Sequence, residues 1–505
     1  MIRTKIVCTI GPASRDPQML KQLIEAGLDV ARINFSHGSH SEHAENISRI
    51  REAAQEVGKP VAILADLQGP KLRVGDMEEG GVLVRQGELV KLTTRDVSGQ
   101  RLESGETCQA EIPVQYDDLP QDVQPGERIL IDDGLIELLL EDVEDTEMRC
   151  RVVTGGVIQD NKGLNVPGSA LSIPAVTEKD WQDIDFALAQ GIDWLGLSFV
   201  RSAEEVYNLQ EVLNKKRTAT NRILLMAKIE KPQALDSIEG IVDAADGIMV
   251  ARGDLGIEIP TEKVPMVQKR LIRLANAAGK PVITATQMLD SMIRNPRPTR
   301  AEASDVANAI LDGSDAVMLS GETAVGKYPV EAVKTMRRIA EEIEAATLTG
   351  PWTTPAHIPD APDDVTDAVS HATAYTAYDL RVAAIIASTA SGRTARNIAK
   401  YRPHTRIIAV TINPLVQRQL MMTWGVTPLL APREYNTDIV LQNAIDAAHD
   451  AGLVQYGARV VLTAGVTSNM PGTTNLMTVE LVKPQRRAEE REKELKAAEE
   501  TGPPA

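Results

Sequence analysis

Two neighbouring segments place charged side chains where an apolar run ends. Lys228 and Glu230 close the run "ILLMAKIE", and Asp254 follows "GIMVARG" between two glycines. Residues two apart on a strand point the same way, so Lys228 and Glu230 are expected on one face. Two carboxylates from adjacent strand ends suit Mg²⁺, which completes its shell with substrate oxygens and water. A satisfied ion pair at the rim of the fold is the alternative for Lys228 and Glu230.

Polar side chains also follow other apolar runs. One run closes with "TATQML", and two earlier ones close with "ARINFSHGSH" and "ADLQGPKLR". An arginine in such a place suits bidentate capture of phosphate or carboxylate, whereas threonine is common in ordinary strands. Together the run ends predict Mg²⁺-assisted chemistry on a small phosphorylated substrate. The candidates at these ends are Arg32, Asn34, Ser36, His37, Asp66, Lys71, Arg73, Thr284, Thr286 and Gln287.

These side chains need a framework that brings strand ends together. Runs rich in Val and Ile alternate with amphipathic segments such as "SAEEVYNLQEVLNKK", which is typical of parallel βα units. Eight such runs favour an α/β fold of the (β/α)8 TIM-barrel type, with the active site at the C-terminal face of the strands. A doubly wound open sheet is the alternative. The predicted strands are 5–10, 30–36, 61–67, 194–200, 223–230, 247–254, 281–287 and 316–322.

A segment of different texture separates the third and fourth runs. Between residues 72 and 170 the apolar spacing is close to two and Gly, Asp and Glu mark turns, which predicts a small antiparallel β domain inserted into the barrel. We therefore expect a catalytic barrel over 1–70 and 172–345, with an inserted small β-barrel domain over 71–171. An insertion at this point would lie above the C-terminal face of the strands, where barrel enzymes keep their active sites.

A linker, a C-terminal α/β domain and a charged tail follow. The linker "TLTGPWTTPAHIPDAPDD" is rich in Pro, Thr and Gly, the domain is expected over 356–483, and the tail 484–505 reads as a solvated helix. In "IIASTASGRTARNIAKYRP" a strand runs into a helix start, which suits a phosphate; an ordinary capped helix is the alternative. The candidate phosphate residues are Ser388, Thr389, Ser391, Gly392, Arg393 and Thr394.

Composition limits the classes of partner. The 505-residue chain is 43% hydrophobic and has a net charge of -17, so it buries a large core and is not expected to bind nucleic acid or an anionic membrane. Cys8, Cys108 and Cys150 lack the spacing of a zinc site or a disulfide framework. The N-terminus has no apolar signal core. We therefore expect a cytoplasmic, multidomain protein.

At these same residues the chain resembles the pyruvate kinases, from residue 2 to about residue 482. The resemblance implies transfer of the phosphoryl group of phosphoenolpyruvate to ADP, which gives pyruvate and ATP as the final step of glycolysis. It also implies Mg²⁺, which Mn²⁺ can replace, a homotetramer, and allosteric regulation through the C-terminal domain. The motifs that carry it are "TKIVCTIGPAS", "ARINFSHG", "NKGLNVPG", "AKIEKP", "MVARGDLG", "ITATQMLDSM", "PTRAEASDVANAILDGSDAVMLSGETAVGKYPVEAV" and "PGTTNL".

The resemblance also implies roles for individual residues. Glu230 and Asp254 match the Mg²⁺ ligands, and Lys228 matches the lysine that neutralises the transferring phosphoryl group and the enolate oxygen. Arg32 matches the arginine that grips the substrate phosphate, and Thr286 matches a threonine near the proton that reaches the enol carbon. The remaining matches are Gly253 for substrate contact and Asn34, His37, Arg73 and Lys162 for nucleotide binding.

Two departures concern the monovalent-cation site. Where K⁺-dependent members resemble "DTKGPEIR", this chain has "DLQGPKLR", so Leu67 replaces a ligating threonine and Lys71 replaces a carboxylate. A fixed ammonium near that site can stand in for a monovalent cation, and its like charge would oppose K⁺ binding. We therefore expect little activation by K⁺, although Asn34, Ser36 and Asp66 are retained.

The resemblance adds expectations about motion and regulation. The inserted domain is expected to act as a lid that excludes water, with hinges near 70–73 and 167–174. The C-terminal phosphate loop matches the allosteric site of the family, which predicts activation by a sugar phosphate or a nucleoside monophosphate.

Two rival functions differ in class from a kinase. One is a Mg²⁺-dependent lyase or aldolase acting on pyruvate or phosphoenolpyruvate, which would not need the nucleotide residues Arg73 and Lys162. The other is a catalytically silent nucleotide-binding or scaffold protein, against which the intact set of Lys228, Glu230 and Asp254 argues.

Overall fold

The structure is a computed structural model that describes most of the chain in two compact units. The first unit holds the barrel with its insertion, and the second holds the C-terminal α/β domain. The central linker residues 350–363, the charged tail 484–505 and residues 471–473 of "PGTTNL" lie outside the described residues. No helix in the described part is long and apolar enough to cross a membrane. The described residues are 2–103, 107–169, 171–216, 222–349, 364–434, 436–465 and 474–483.

The first unit begins with three parallel strands and two helices. These are β1 (Lys5–Thr9), α1 (Pro17–Ala26), β2 (Val30–Asn34), α2 (His40–Val57) and β3 (Ala62–Asp66). Both helices begin at a capping residue: the Asp16 side chain accepts from the backbone of Gln18 and Met19, and Ser39 forms a capping box with Glu42. Such caps satisfy N–H groups that the first helical turn leaves without partners.

The insertion between β3 and the fourth barrel strand is a β domain with its own apolar core. Its elements are β4 (Val82–Val84), β5 (Leu89–Thr93), β6 (Gln100–Arg101), β7 (Ala110–Pro113), α3 (Leu119–Asp122), β8 (Arg128–Ile131), β9 (Ile136–Glu144), β10 (Glu147–Thr154), β11 (Gly156–Ile158) and β12 (Leu164–Asn165). The strands pair as a seven-stranded sheet, β12-β8-β9-β10-β5-β7-β6, and a two-stranded sheet of β4 and β11.

One strand pair of the insertion departs from the expected antiparallel pairing. β5 and β7 run parallel, so the expectation is wrong for this pair, whereas β8, β9 and β10 pair antiparallel in sequence order. The reason is the connection between them, because β6 turns back and pairs antiparallel with β7, which brings the chain round to the other end of β5.

The remaining barrel elements follow the insertion. The strands are β13 (Trp194–Leu197), β14 (Leu224–Ile229), β15 (Gly247–Ala251), β16 (Val282–Ala285) and β17 (Ala316–Leu319). The helices are α4 (Glu178–Ala189), α5 (Ala203–Lys215), α6 (Pro232–Asp236), α7 (Ile238–Ala244), α8 (Arg252–Glu258), α9 (Val264–Ala277), α10 (Arg300–Leu311), α11 (Gly321–Ala324) and α12 (Pro329–Thr349).

Eight parallel strands close into a barrel in the order β1-β17-β16-β15-β14-β13-β3-β2. The predicted (β/α)8 architecture is therefore confirmed, and the doubly wound open sheet is wrong. The fourth, sixth and eighth strands each end three residues earlier than expected. At the sixth the reason is a helix, because β15 ends at Ala251 and Arg252 already begins α8. The glycines of "RGDLG" therefore lie in a short helix that starts at the C-terminal rim of the barrel.

An aspartate precedes the second, fourth, sixth and eighth barrel strands at the N-terminal rim. The Asp29 N–H donates to the Ile6 carbonyl at 3.0 Å, and Asp29 Oδ2 accepts from the Ile6 N–H at 3.0 Å. This reciprocal pair couples each odd strand to the next even one, so the barrel repeats one device four times. The other three pairs are Asp193 with Ile63, Asp246 with Leu225 and Asp315 with Val282.

The second unit is a five-stranded α/β domain. Its elements are α13 (Val365–Asp379), β18 (Ala384–Ser388), α14 (Arg393–Ala399), β19 (Ile407–Thr411), α15 (Pro414–Gln419), β20 (Val426–Leu430), α16 (Thr437–Asp450), β21 (Arg459–Ala464) and β22 (Leu476–Leu481). The sheet order is β20-β19-β18-β21-β22, and only the last strand in this order runs antiparallel to its neighbour. The apolar runs at 382–389, 406–411, 426–431, 458–465 and 477–482 predict these five strands.

Candidate active site

Lys228 lies at the centre of a cluster of charges at the C-terminal end of β14. Its Nζ is 3.0 Å from Glu230 Oε1 and 3.2 Å from Asp66 Oδ1, and it donates to Ser198 Oγ at 2.7 Å. The side chain of Lys228 is 11% exposed, and those of the two acids are 1% exposed. The structure thus brings Lys228 and Glu230 together, as their spacing on the strand predicts.

Two oxygens of this cluster remain without a well-directed hydrogen bond. Glu230 Oε2 accepts from the Phe199 N–H at 2.7 Å, but Glu230 Oε1 and Asp66 Oδ1 have only the ion-pair approach of Lys228. Buried polar atoms in folded proteins are almost always hydrogen-bonded, so such exceptions need an explanation. Both oxygens lie at the rim where barrel enzymes bind their substrates.

The charges of the cluster shift one another's protonation. Burial acts to lower the pKa of Lys228, but the charges of Asp66 and Glu230 outweigh it and hold that pKa above its usual value. Burial acts to raise the pKa of Asp66, but Lys228 and Arg32 hold it below its ordinary value. Burial raises the pKa of Glu230 despite Lys228, and the charge of Asp254 raises it further. The cluster therefore holds a cation between the carboxylates of Asp66 and Glu230, and Glu230 is in turn repelled by Asp254.

Arg32 reaches the cluster from β2. Its Nε donates to Asp66 Oδ2 at 2.7 Å, its Nη2 lies 2.6 Å from the same oxygen, and its Nη1 donates to Thr9 Oγ1 at 2.9 Å. Asp66 therefore pairs with Arg32 through one oxygen and with Lys228 through the other. The cations of Arg32 and Lys228 therefore lie on either side of Asp66, an arrangement suited to binding an anion.

Asp254 enters the site from the first turn of α8. Its side chain is 30% exposed, and its Oδ1 lies 3.8 Å from Lys71 Nζ. The preceding residue, Gly253, has no room for a side chain, because a Cβ there would lie 2.7 Å from Thr286 Cγ2. The short helix thus presents one carboxylate and packs its bare backbone against Thr286.

Thr286 and Gln287 follow β16 in a left-handed backbone conformation. Their φ angles are 73° and 55°, which is rare for any residue and exceptional for a β-branched one. Such backbone strain is concentrated at functional sites. Thr284 does not share this position. It lies fully buried within β16, where its hydroxyl is 2.7 Å from Ser314 Oγ, so it does not belong to the site.

The proposed nucleotide residues lie in two places. Asn34 is the last residue of β2 and His37 lies in the loop that follows, where the Ser36 N–H donates to Asn34 Oδ1 at 3.2 Å. In the inserted domain, Arg73 pairs its backbone with Gly163, next to Lys162. Contacts there are local: Arg73 Nη1 donates to Asn161 O at 2.8 Å, and Lys162 Nζ lies 2.9 Å from Asp132 Oδ1.

The C-terminal phosphate candidates form the loop between β18 and α14. Thr389 Oγ1 accepts from the Gly392 N–H at 3.0 Å, and Thr394 Oγ1 lies 2.7 Å from Thr474 Oγ1. Arg393 is exposed and lies 3.5 Å from Asp364 Oδ2. Two of the four candidate hydroxyls are therefore already bonded within the protein. The other two belong to Ser388 and Ser391, which are half-buried.

Sequence reasoning missed two residues that the structure brings to the pair of Lys228 and Glu230. Ser198 accepts from its ammonium, and the adjacent Phe199, with φ at 54°, donates its backbone N–H to Glu230. Both belong to "WLGLSFV", in which a serine near the end of an apolar run is the available signal.

The fold is a (β/α)8 barrel with a β domain inserted after its third strand, and it carries a cluster of buried charges at its C-terminal rim, where barrel enzymes keep their active sites. A family model described as pyruvate kinase, barrel domain, matches residues 1–333, and one described as pyruvate kinase, alpha/beta domain, matches residues 367–480. The chain therefore belongs to the pyruvate kinase family.

Individual relatives agree with the family models. The chain is 50% identical to a pyruvate kinase of Geobacillus stearothermophilus over 95% of its own length and 80% of the relative's. It is 48% identical to one from Staphylococcus aureus strain MRSA252 over 95% of its own length and 81% of the relative's. A crystal structure of a pyruvate kinase from Cryptosporidium parvum has a TM-score of 0.87 and 37% identity, covering 95% of this chain and 96% of that one.

Family membership identifies the reaction. The chain is a phosphotransferase that acts on phosphoenolpyruvate and ADP and gives pyruvate and ATP, the final step of glycolysis. The lyase and silent-scaffold alternatives are set aside on this ground.

Proposed function

We propose that this reaction takes place at the C-terminal rim of the barrel, with Glu230 and Asp254 as ligands of Mg²⁺ and with Lys228 and Arg32 on the phosphoryl group. The proposal depends on the unusual environment of the Glu230 carboxylate. Its Oε1 is buried without a well-directed hydrogen bond, and burial and the charge of Asp254 raise its pKa. A divalent cation shared by the two carboxylates would relieve both conditions.

The donor set fits Mg²⁺ rather than a metal caged by protein alone. Among the described residues no group of three or more His, Cys, Asp or Glu side chains gathers in a metal-binding arrangement. Mg²⁺ commonly takes one or two carboxylates and leaves its other positions to substrate oxygens and water. Mn²⁺, which accepts the same oxygen ligands, is proposed as a substitute. When bound, the cation supplies charge neutralisation at the phosphoryl and enolate oxygens.

Lys228 and Arg32 supply the fixed positive charge that phosphoryl transfer needs. The pKa of Lys228 is held above its usual value by Asp66 and Glu230, so the ammonium stays protonated as charge develops on the substrate. Arg32 has a planar fork of donors suited to the substrate phosphate. Its anchoring to Asp66 and Thr9 fixes the orientation of that fork. Catalysis of this kind depends on positioning and neutralisation more than on covalent chemistry.

Thr286 is proposed to serve the proton that completes the reaction. After phosphoryl transfer the enolate takes one proton at its methylene carbon, a C–H bond forms there, and pyruvate results. The strained backbone of Thr286 sets its methyl group against the backbone of Gly253, where no side chain would fit. Gly253 is proposed as a substrate contact because it matches one in the family.

The nucleotide is proposed to lie between the loop after β2 and the inserted domain, in contact with Asn34, His37, Arg73 and Lys162. The local contacts of Arg73 and Lys162 with Asn161 and Asp132 keep both cations on the inserted domain. Closure of this domain as a lid, with hinges near 70–73 and 167–174, would therefore bring them to the phosphates and exclude water.

Little activation by K⁺ is also proposed. Leu67 is buried in the apolar core of the barrel and offers no ligand oxygen from its side chain. Lys71 Nζ lies 3.8 Å from Asp254 Oδ1, so an ammonium already stands beside the site. Asn34, Ser36 and Asp66 would remain as the other members of a monovalent-cation site.

An allosteric phosphate site is proposed at the loop Ser388–Thr394. Exposed Arg393 and the start of α14 suit a sugar phosphate or a nucleoside monophosphate. Such an effector should lower the phosphoenolpyruvate concentration that gives half-maximal rate, and Arg393→Ala should abolish the shift. The site is refuted if no phosphorylated effector moves that concentration and Arg393→Ala changes nothing.

Assembly as a homotetramer and action in the cytoplasm complete the proposal. Val479 and Leu481 are exposed on β22, an edge strand of the C-terminal sheet, and an exposed edge can pair with another chain. Light scattering during size-exclusion chromatography measures the assembly directly. A mass equal to one chain would contradict it.

One coupled assay tests the whole proposal. Pyruvate should appear from phosphoenolpyruvate only when ADP and a divalent cation are both present. Pyruvate formed without ADP would indicate a lyase or phosphatase, and no pyruvate under any condition would indicate a silent nucleotide-binding protein.

A further inference from the structure

The Arg252 side chain is directed at the loop that carries Thr286. Its Nε donates to the Ala285 carbonyl oxygen at 3.1 Å, and its Nη2 donates to the Thr286 carbonyl oxygen at 2.8 Å. Nη2 also lies 2.7 Å from Met288 Sδ. One guanidinium group therefore contacts the loop before, at and after its left-handed residues.

The other side of the guanidinium group is anchored to two helices. Nη1 donates to Asp305 Oδ1 on α10 at 2.6 Å and to Gln268 Oε1 on α9 at 3.4 Å. Gln268 in turn donates to Asp312 Oδ2 at 3.0 Å. The Arg252 side chain is 14% exposed and that of Asp305 is 36% exposed, so solvent partly screens their ion pair but reaches little of the guanidinium group. The loop is thus tied to the outer helices of the barrel through Arg252.

Two independent features show that the loop needs such support. Thr286 and Gln287 both have positive φ angles, and a conformation of this kind persists only where the surroundings enforce it. Gly253, the next residue after Arg252, packs its backbone against the Thr286 side chain. Arg252 therefore holds the carbonyl oxygen of Thr286, and Gly253 packs against the methyl group of Thr286.

We propose that Arg252 is a positioning residue for the protonation step, acting through Thr286. By holding the Ala285 and Thr286 carbonyls it fixes the left-handed turn and aims the Thr286 hydroxyl at the substrate carbon. This inference rests on the role proposed above for Thr286. In this proposal Arg252 contacts neither the substrate nor the metal, but it sets the geometry of Thr286, which contacts the substrate.

The step can be followed in reverse. An enzyme that protonates the enolate of bound pyruvate also removes a methyl proton from it: the C–H bond breaks, the proton passes to solvent, and in D2O a C–D bond forms when the carbon is reprotonated. Loss of the pyruvate methyl signal by proton NMR measures this exchange, with Mg²⁺ and inorganic phosphate present to fill the metal and phosphoryl sites. No nucleotide turnover is needed, so the readout isolates the proton step.

Arg252→Met should slow this exchange roughly 10²-fold, which is the loss of rate expected when a reacting group is misplaced by about 1 Å. KM for ADP should stay unchanged, because nothing in the network touches the proposed nucleotide residues. Arg252→Lys should not rescue the exchange, because one ammonium cannot reproduce the fork that reaches both carbonyls. Asp305→Asn weakens only the anchor and should give a smaller loss in a protein that keeps Arg252.

A double-mutant cycle separates positioning from general damage. In a Thr286→Ala background, Arg252→Met should cause little further loss of exchange, since its effect passes through the missing hydroxyl. Arg270→Met on α9 removes an exposed ion pair with Glu239 and should leave both exchange and the thermal unfolding midpoint as in the wild type.

Two outcomes are decisive and distinct. If Thr286→Ala leaves exchange unchanged, the role proposed for Thr286 falls. If Thr286→Ala impairs exchange but Arg252→Met does not, or if the two losses simply multiply, the proposal for Arg252 alone is overturned.

Discussion

The two rims of the barrel bury carboxylates in opposite ways. At the N-terminal rim, Asp29, Asp193, Asp246 and Asp315 each exchange two hydrogen bonds with the neighbouring strand. At the C-terminal rim, Asp66 and Glu230 each keep one oxygen without a well-directed hydrogen bond. Among the described residues, these are the only buried carboxylate oxygens in that condition.

The difference separates structural charge from functional charge. The N-terminal aspartates stabilise the barrel because their oxygens are satisfied by backbone N–H groups and by cations such as Arg51 and Lys59. Each C-terminal acid keeps an acceptor oxygen that no well-directed hydrogen bond occupies, and two cations lie beside these acids. This arrangement suits the binding of a metal and a phosphate. Burial alone would not tell the two rims apart, but hydrogen-bond satisfaction does.

The largest expected effect is loss of activity without loss of fold at the C-terminal rim. Glu230→Gln should lower kcat for pyruvate formation roughly 10³-fold, because it removes a proposed metal ligand at the site of charge development. The free energy of unfolding should stay the same or rise, since a neutral amide costs less to bury than a carboxylate. Steady-state kinetics and denaturant titration measure both. A variant with full activity would remove Glu230 from the mechanism.

The opposite pattern is expected at the N-terminal rim. Asp193→Ala should lower the free energy of unfolding by about 3 kcal/mol, because it leaves Arg51 and the Ile63 N–H without their buried acceptor. The kcat of the remaining folded enzyme should be that of the wild type. Asp193→Asn keeps an acceptor oxygen and serves as the milder control. A kcat loss as large as that of Glu230→Gln would erase the proposed distinction between the rims.

A smaller effect concerns the cation that stands beside Asp254. The wild-type rate should be the same in Na⁺ and K⁺ buffers, whereas the Leu67→Thr, Lys71→Glu double variant should need K⁺ for several-fold activation, because it regains two ligands and loses the ammonium. Lys59→Gln at the opposite rim should show no response to K⁺. Strong K⁺ activation of the wild type would show that Lys71 does not replace the ion.

The smallest expected effect is the contribution of His43 to the pH dependence of the free energy of unfolding. Its buried ring packs 4.8 Å from Phe35, and burial lowers its pKa although the His37 backbone acts to raise it. The charged side chains that act on it are Asp183, which raises the pKa, and Lys179 and a protonated His40, which lower it.

The sign follows from proton uptake on unfolding. As the pH falls below about 6.5, an unfolded histidine binds a proton that folded His43 resists, so stability declines. His43→Phe should flatten this decline by about 1 kcal/mol or less between about pH 7.5 and about pH 5.5. His449→Gln, at a half-buried histidine of the C-terminal domain, is the control. An unchanged slope in His43→Phe would assign the pH dependence to other groups.

Much of the barrel could be predicted from the sequence because parallel strands covered on both faces read as continuous apolar runs. The end of the sixth strand could not, since the glycines around Asp254 conceal a short helix that only tertiary packing reveals. The repeated aspartate was visible before four strands, in "LDV", "IDW", "ADG" and "SDA", but its meaning depends on a partner in the preceding strand.

The site divides in the same way. Lys228 and Glu230 follow from the strand period of two, so their meeting was predictable. The left-handed backbone of Thr286 and the approach of Ser198 to Lys228 were not, because both depend on neighbours far away in the sequence. Arg252 carried a charge in a conspicuous motif, yet its direction is set by α9 and α10.

Binding of Mn²⁺ tests the central claim most directly. Electron paramagnetic resonance titration, with phosphoenolpyruvate present, should show a tight Mn²⁺ site in the wild type and in Asp193→Asn, and loss of that site in Glu230→Gln and Asp254→Asn. Wild-type affinity in both C-terminal rim variants would contradict the assignment of these two carboxylates as the metal ligands.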